Sequence, residues 1–335
     1  MTVGEEIPTI SRVSPDVFAN VLAEASEPVL LKGLVSDWPV VAAAQQSHAA
    51  LDCYLRRFYQ GASVGVISGE PAIAGRFFYN ENITGFNFER SLDKLDRVLD
   101  RLLEQRGVSA PRRYYVGSTT VDTCLPGFRL ENDLDFGDLD PLASIWIGNH
   151  SRIAAHYDVP DNIACVAAGR RRFTLFPPEQ LENLYAGPLD FTPAGQQISL
   201  VDFRRPDFER FPLFRQALDN AFIVDMVPGD ALFIPSMWWH HVESMDSLNI
   251  LVNYWWRKSP DYMGPPIDVL HHALLSLRGL PAEQKKAWQY MLQHYVFSED
   301  VPLDHIPEDS RGSLGELNET LARKLRGLLL NKLNR

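Results

Sequence analysis

Cysteine is scarce in this 335-residue chain, which carries Cys53, Cys124 and Cys165 and no others. Three thiols with no Cys-x-x-Cys spacing exclude a framework in which all of them pair, and a reduced cytoplasmic setting fits best. Basic charge is in deficit: 32 Lys and Arg against 43 Asp and Glu leave a net charge of −11. That balance argues against a broad phosphate-binding surface, so nucleic acid is not expected as a partner. Long apolar runs are missing too. None reaches the ~18 residues a membrane span needs, so no membrane partner is expected. The opening "MTVGEEIPTISRV" has neither the basic stretch nor the apolar core of a secretory signal. No internal repeat or low-complexity segment is visible. What is present is a composition 45% hydrophobic, enough to bury a large core in one soluble domain with appendages.

The pattern of elements changes twice along the chain. "SPDVFANVLAEA" (14–25) starts with Ser-Pro and reads as a capped helix; "PVLLKGL" (28–34) reads as a strand, followed by helix through "LDCYLRRFY". The leucines at 92, 95, 99, 102 and 103 predict a helix over 88–106. From about residue 112, short β-branched and aromatic runs follow one another, among them "RYYVGST", "ASIWIGN", "AAHYDV", "IACVAA", "RRFTLF" and "LNILVNYWW", punctuated by Gly, Pro, Asn and Asp. Many short strands without long intervening helices predict a barrel or double-sheet roll rather than βαβ units. Residues 178–220 read as a loop-rich insert ending in a short helix. After 260 the pattern is helical again, with Trp288, Met291, Leu292 and Tyr295 on one stripe and Leu314, Leu317, Leu321, Leu325 and Leu328 on another. The expected division is a helical and strand region over 1–111, a β core over 112–260, and a helical tail over 261–335.

The chemistry concentrates in "IAAHYDVPDN" (153–162). In a strand, residues i and i+2 share a face, so His156 and Asp158 project together. An imidazole and a carboxylate are two of the three ligands of the 2-His-1-carboxylate triad, which leaves coordination positions open for substrates. A lone His-x-Asp is weak evidence, since most such tripeptides are solvated or structural. It gains weight from "PGDALFIPSMWWHHVES" (228–244), a turn, a strand and a second strand that carries His240 and His241 on opposite faces. Only one of the two can reach the site, and spacing leaves the choice open. His48, His150, His271, His272, His294 and His305 have no such surroundings and read as surface or packing residues.

Taken together, "HYD", the Asn that follows, "GRRRFTLFPP", "GDALFIPSMWWHHVES" and "VNYWW" resemble the cupin-like JmjC hydroxylases, most closely their asparaginyl-hydroxylase branch, which inhibits hypoxia-inducible factor. "EPVLLKGLVSDWPV" (27–40) is similar to the entry segment of that group, and the likeness runs from about residue 27 to 257. It implies a mainly β fold with flanking helices, a double-stranded β-helix of the jelly-roll or cupin type. It further implies Fe(II) as metal, 2-oxoglutarate as cosubstrate and O2 as oxidant. His156, Asp158 and His240 fall on the iron ligands. Arg171 stands where the family carries a lysine for the distal carboxylate of 2-oxoglutarate, a role that suits a bidentate guanidinium. Tyr115 falls on a tyrosine that touches the same carboxylate, Asn162 and Asn253 on two site asparagines, and Trp255 on an aromatic near the site. Two positions depart from the pattern: Ile153 replaces a threonine and Gly117 a long polar residue that meets the substrate peptide.

The resemblance makes the chain an Fe(II)- and 2-oxoglutarate-dependent dioxygenase that hydroxylates a protein side chain or a small molecule, with N-demethylation open as well. A cupin that binds metal or a small ligand without catalysis is the alternative. Its weakness is that it has no need for an acid pocket built from Arg171, Tyr115 and Asn162. The tail helices over 265–297 carry more apolar surface than a lone hairpin leaves in water. Relatives in the family pair through such helices, so a homodimer is expected, with Trp288 and Tyr295 as anchors.

Overall fold

The computed structural model describes residues 6–334. The chain divides into two units, one running to Trp256 and the other from Arg257 onward. In the first, the described residues form fourteen strands: β1 (Thr9–Ile10), β2 (Val29–Leu31), β3 (Ser63–Gly69), β4 (Arg76–Phe77), β5 (Glu89–Lys94), β6 (Arg113–Thr120), β7 (Leu142–Gly148) and β8 (Ser151–Tyr157). They continue with β9 (Asp161–Ala168), β10 (Arg171–Phe176), β11 (Phe222–Met226), β12 (Ala231–Ile234), β13 (Trp239–Ser244) and β14 (Asn249–Trp256). A nine-stranded sheet runs β1-β2-β12-β9-β14-β7-β6-β3-β5, and a five-stranded sheet runs β11-β10-β13-β8-β4. From β7 to β14 the chain steps back and forth between the two sheets, and every pairing among these eight strands is antiparallel. This is the double-stranded β-helix, mainly β with helices at both ends, that the sequence predicts.

Side-chain alternation sorts the chain into layers. On β14, Ile250, Val252, Tyr254 and Trp256 join the large cluster with Leu31, Ile147, Ile163 and Phe233, on the face that the N-terminal helices cover. Leu251 joins a second cluster with Val166, Phe173, Leu175 and Val242. Phe233 is fully buried, and burial of such a side chain contributes about 1.5–3 kcal/mol. The alternate positions of β14, Asn253 and Trp255, therefore share the inner face with Leu251 and are the ones available to a site. Tight turns connect the layers. Gly169, between β9 and β10, has φ +69°, and a Cβ there would lie 2.3 Å from Asn249 Oδ1. In the Pro-Gly-Asp turn the Asp230 carboxylate accepts from the Gly33 amide at 3.0 Å and the Val227 amide at 3.1 Å, tying β12 to the entry segment.

Three expectations need correction. The helix predicted over 88–106 is β5 followed by a helix at Leu95–Glu104, because the antiparallel pairing of Glu89–Lys94 with β3 overrides the leucine period. Leu92, counted on the helical stripe, is a strand residue 79% exposed, whereas Leu95, Leu99 and Leu102 are buried. The boundary near 112 does not separate a front region from the core, since β1, β2, β3 and β5 belong to the nine-stranded sheet. In the second unit, helices form at Pro266–Ser276 and Ala282–Leu292, and a wider helical turn at Gln293–Phe297. The last helix, Glu319–Leu333, begins only after Asn318, whose side chain caps the Leu321 amide at 3.0 Å, so Leu314 and Leu317 lie outside it. Among the described residues no helix is long and apolar enough to cross a membrane.

Candidate metal centre

His156 lies near the end of β8 and His240 directly opposite it on β13, so their side chains share one face. Their rings approach to 4.3 Å between centroids. Asp158 sits just past the end of β8, still close enough that its Oδ2 lies 3.7 Å from His240 Nε2. One donor atom from each of the three lies within 4.8 Å of the others. His241 opposes Thr174 on the other face, next to a bulge in the β13–β8 register. Its ring stacks on Phe203 at 4.6 Å, away from the other two histidines. The choice between His240 and His241 that spacing leaves open is therefore made by strand register.

The tautomers follow from the neighbours. His156 Nδ1 lies 3.0 Å from the Ala154 carbonyl and His240 Nδ1 3.0 Å from the Trp238 carbonyl. A carbonyl only accepts, so each Nδ1 carries the proton and each Nε2 keeps a lone pair for the space between them. Burial, reinforced by His156, pushes the His240 imidazole below its ordinary value and keeps it neutral, the form that ligates metals. Asp158 is held by donors on the nine-stranded sheet. Trp255 Nε1 donates to its Oδ2 at 3.1 Å and Asn162 Nδ2 at 3.5 Å. Asn253 Nδ2 donates to Asn162 Oδ1 at 3.2 Å, and Trp146 Nε1 to Asn253 Oδ1 at 2.6 Å. Two histidines of fixed tautomer and a carboxylate oriented by indole and amide donors form a donor set suited to a divalent metal with open positions.

Arg171 shares the inner face with this group, because Arg171, Phe173 and Leu175 oppose Ser244, Val242 and His240 in turn. It is 2% exposed, yet among the described residues its Nε and Nη2 have no hydrogen-bond partner. Burial lowers its pKa to about 10, against a small opposing influence from Tyr115, so it stays charged at neutral pH. Tyr115 is buried beside it, with its hydroxyl pushed above the ordinary value by desolvation. By contrast Arg170 pairs with Asp246 at 2.8 Å and Arg172 with Asp225 at 2.7 Å, both at the surface. A buried guanidinium without a carboxylate is a large unpaid charge penalty, and it fits an anion supplied from outside the chain.

These groups line one cavity of about 510 Å3, within the roughly 300–1,000 Å3 of small-molecule sites. It brings together all the residues singled out in the sequence: His156, Asp158, His240, Arg171, Tyr115, Asn162, Asn253 and Trp255. Ile153 and Gly117 line it too, and a Cβ on Gly117 would lie 3.3 Å from the Trp146 ring. Sequence reading missed Trp146, Phe77, Phe88, Arg90 and Gln196. Trp146 was discoverable, since its alternation in "ASIWIGN" puts it on the polar face shared with Asn253. Arg90 was not, because its strand was read as helix.

The chain is 26% identical over 281 residues to HSPB1-associated protein 1 of Homo sapiens, covering 78% of this chain and 54% of that protein. It is 33% identical over 127 residues to the lysine-specific demethylase JMJ31 of Arabidopsis thaliana, covering 37% of this chain and 23% of that one. Over 145 residues it is 32% identical to the tRNA wybutosine-synthesizing protein 5 of Gallus gallus, covering 39% and 42%. The chain thus spans about half or less of the length of these relatives. Residues 15–262, most of the chain, match the cupin-like domain family, and the chain belongs to that family.

Proposed function

We propose that this protein is an Fe(II)- and 2-oxoglutarate-dependent oxygenase. The carrying observation is the pairing, in one cavity, of a His-Asp-His donor set with a buried, unpartnered guanidinium. His156 and His240, through Nε2, and one Asp158 oxygen would hold the iron. When bound, the iron supplies oxygen activation coupled to oxidative decarboxylation of 2-oxoglutarate to succinate and CO2. The chain's own residues bind and orient. Arg171 takes the distal carboxylate in a bidentate pair, with the Tyr115 hydroxyl as a further donor. Trp255 and Asn162 fix the Asp158 carboxylate, and the apolar walls from Ile153, Phe173 and Leu251 exclude water. Arginine in place of the family's lysine keeps the charge, extends the reach and presents a bidentate fork to the carboxylate.

The prime substrate is a protein side chain or a small molecule, and N-demethylation is the second outcome of the same chemistry. The name of the plant relative, a lysine-specific demethylase, supports keeping it. The likeness to the asparaginyl-hydroxylase branch extends to cofactor chemistry, while Ile153 and Gly117 change the wall where that substrate would lie. The three free thiols suit a reducing, cytoplasmic setting. Exposed Trp288, Met291 and Tyr295 in the second unit suit a homodimer. Calorimetry with Mn(II) as a redox-inert stand-in tests the reading. The Mn(II)-loaded chain binds 2-oxoglutarate; Asp158→Ala loses metal and cosubstrate together, and Arg171→Ala keeps the metal and loses the acid. Equal 2-oxoglutarate affinity in wild type and Arg171→Ala would leave the acid pocket without support.

A further inference from the structure

Arg171 and Asp158 are not the only charged side chains in the cavity: Arg90 lines it as well. Arg90 lies opposite Ile67 on β3, and Ile67 lies opposite Tyr115 on β6. Residues directly opposite across a sheet share a face, so Tyr115, Ile67 and Arg90 form one row. Two strand spacings put Arg90 about 10 Å from Tyr115, measured across the sheet. The cavity therefore has a buried cation beside Tyr115 and an exposed one two strands away.

In a chain with net charge −11, an exposed arginine ordinarily finds a carboxylate. The acids flanking Arg90 are taken by others: Glu89 pairs with Arg112 at 3.0 Å and Asp93 with Arg101 at 2.6 Å. Among the described residues Arg90 has no acidic partner. It donates one Nη2 bond to the Pro193 carbonyl and lies over the rings of Phe86 and Phe88 at 5.1 and 5.5 Å. Those rings stack on each other at 4.9 Å, and Phe86 stacks on Phe191 at 4.8 Å, so the guanidinium rests on a stiff aromatic shelf. A guanidinium has five N–H donors, and most of these remain available. A cation held on aromatic faces, kept clear of carboxylates and facing a cavity is a preorganised anion receptor.

We infer that Arg90 is a specificity-determining residue that binds an anionic group, a carboxylate or a phosphate, on the prime substrate, while Arg171 holds the cosubstrate. This rests on the oxygenase reading above. The two cations then divide the cavity, and a substrate lacking the anion loses a charged contact.

The test is solution NMR of the full chain uniformly labelled with 15N, the arginine side-chain signals assigned with Arg90→Gln and Arg171→Met. Three titrants are added at matched chloride: N-acetylaspartate amide, inorganic phosphate and 2-oxoglutarate. The expected result is saturable movement of the Arg90 signal with the first or second, and affinity read at the Ser91 amide weaker by about tenfold in Arg90→Gln. A response to N-acetylaspartate amide alone assigns a carboxylate, and tighter binding of phosphate assigns a phosphate. An Arg90 signal that neither moves beyond the chloride control overturns the inference. An Arg171 signal that ignores 2-oxoglutarate counts against the oxygenase reading instead, and the two failures are told apart by which arginine is silent.

Discussion

Replacing Arg171 with methionine is expected to stabilise the fold while removing the acid pocket. The side chain is 2% exposed and, among the described residues, Nε and Nη2 have no partner. Burial lowers its pKa from 12.5 to about 10, which at 1.36 kcal/mol per decade is a charge penalty of about 3 kcal/mol. The sign is that of a base held less readily charged in the folded chain. The penalty is present in full at neutral pH and is relieved only as pH rises above about 10. Methionine keeps the length of the aliphatic stem and removes the charge, so a net gain of about 1–2 kcal/mol is expected after imperfect packing is allowed for. At about 2–4 °C per kcal/mol, differential scanning fluorimetry should show Tm higher by a few degrees in the ligand-free protein. Adding 2-oxoglutarate to the Mn(II)-loaded protein should raise the wild-type Tm further and leave that of the Mn(II)-loaded variant unmoved. A variant that melts more than about 5 °C below wild type would mean that Arg171 is a satisfied structural residue, contrary to the reasoning.

Trp255→Phe removes the indole donor from Asp158 Oδ2, and loss of such an orienting bond typically weakens metal binding by about 10–100-fold, readable by Mn(II) calorimetry. His241→Phe should keep Mn(II) affinity within about twofold because its ring faces Phe203 rather than the cavity, whereas His240→Ala should abolish it; the reverse ranking would mean the strand face is misassigned. Tyr115→Phe deletes one donor to the cosubstrate and should raise the Kd for 2-oxoglutarate by roughly three- to tenfold with metal affinity unchanged. Light scattering at micromolar concentration should give twice the 37.9 kDa chain mass, and Trp288→Arg should give a soluble monomer; a monomer from the unaltered chain would exclude the homodimer.

Much of the site could be read in the chain before any coordinates. His156 and Asp158 announce themselves by spacing, and the eight strands β7–β14 by short β-branched runs with turn residues between them. Strand register decided what spacing left open: Leu175 opposite His240 and Thr174 opposite His241 fix which imidazole turns inward. The front of the chain was harder. "SVGVISG" is broken by two glycines and weakly apolar, so β3 has little signal of its own. Without β3 the partner strand β5 looks like the start of an amphipathic helix, since Leu92 falls in phase with Leu95 and Leu99 by coincidence. Arg90 was lost with β5, because only the row Tyr115–Ile67–Arg90 brings it to the cavity. The hydrogen bond from Trp255 to Asp158 was equally invisible, since it joins residues 97 apart in sequence.

The most direct test of the oxygenase reading is succinate released by the full chain given Fe(II), ascorbate, O2 and 2-oxoglutarate, followed by mass spectrometry with no prime substrate added. Uncoupled turnover should release succinate in step with the 2-oxoglutarate consumed, should vanish in Asp158→Ala, and should need a much higher 2-oxoglutarate concentration in Arg171→Met. A chain that binds Mn(II) and 2-oxoglutarate in this cavity and yet releases no succinate would contradict the oxygenase reading and leave a cupin that binds without catalysis.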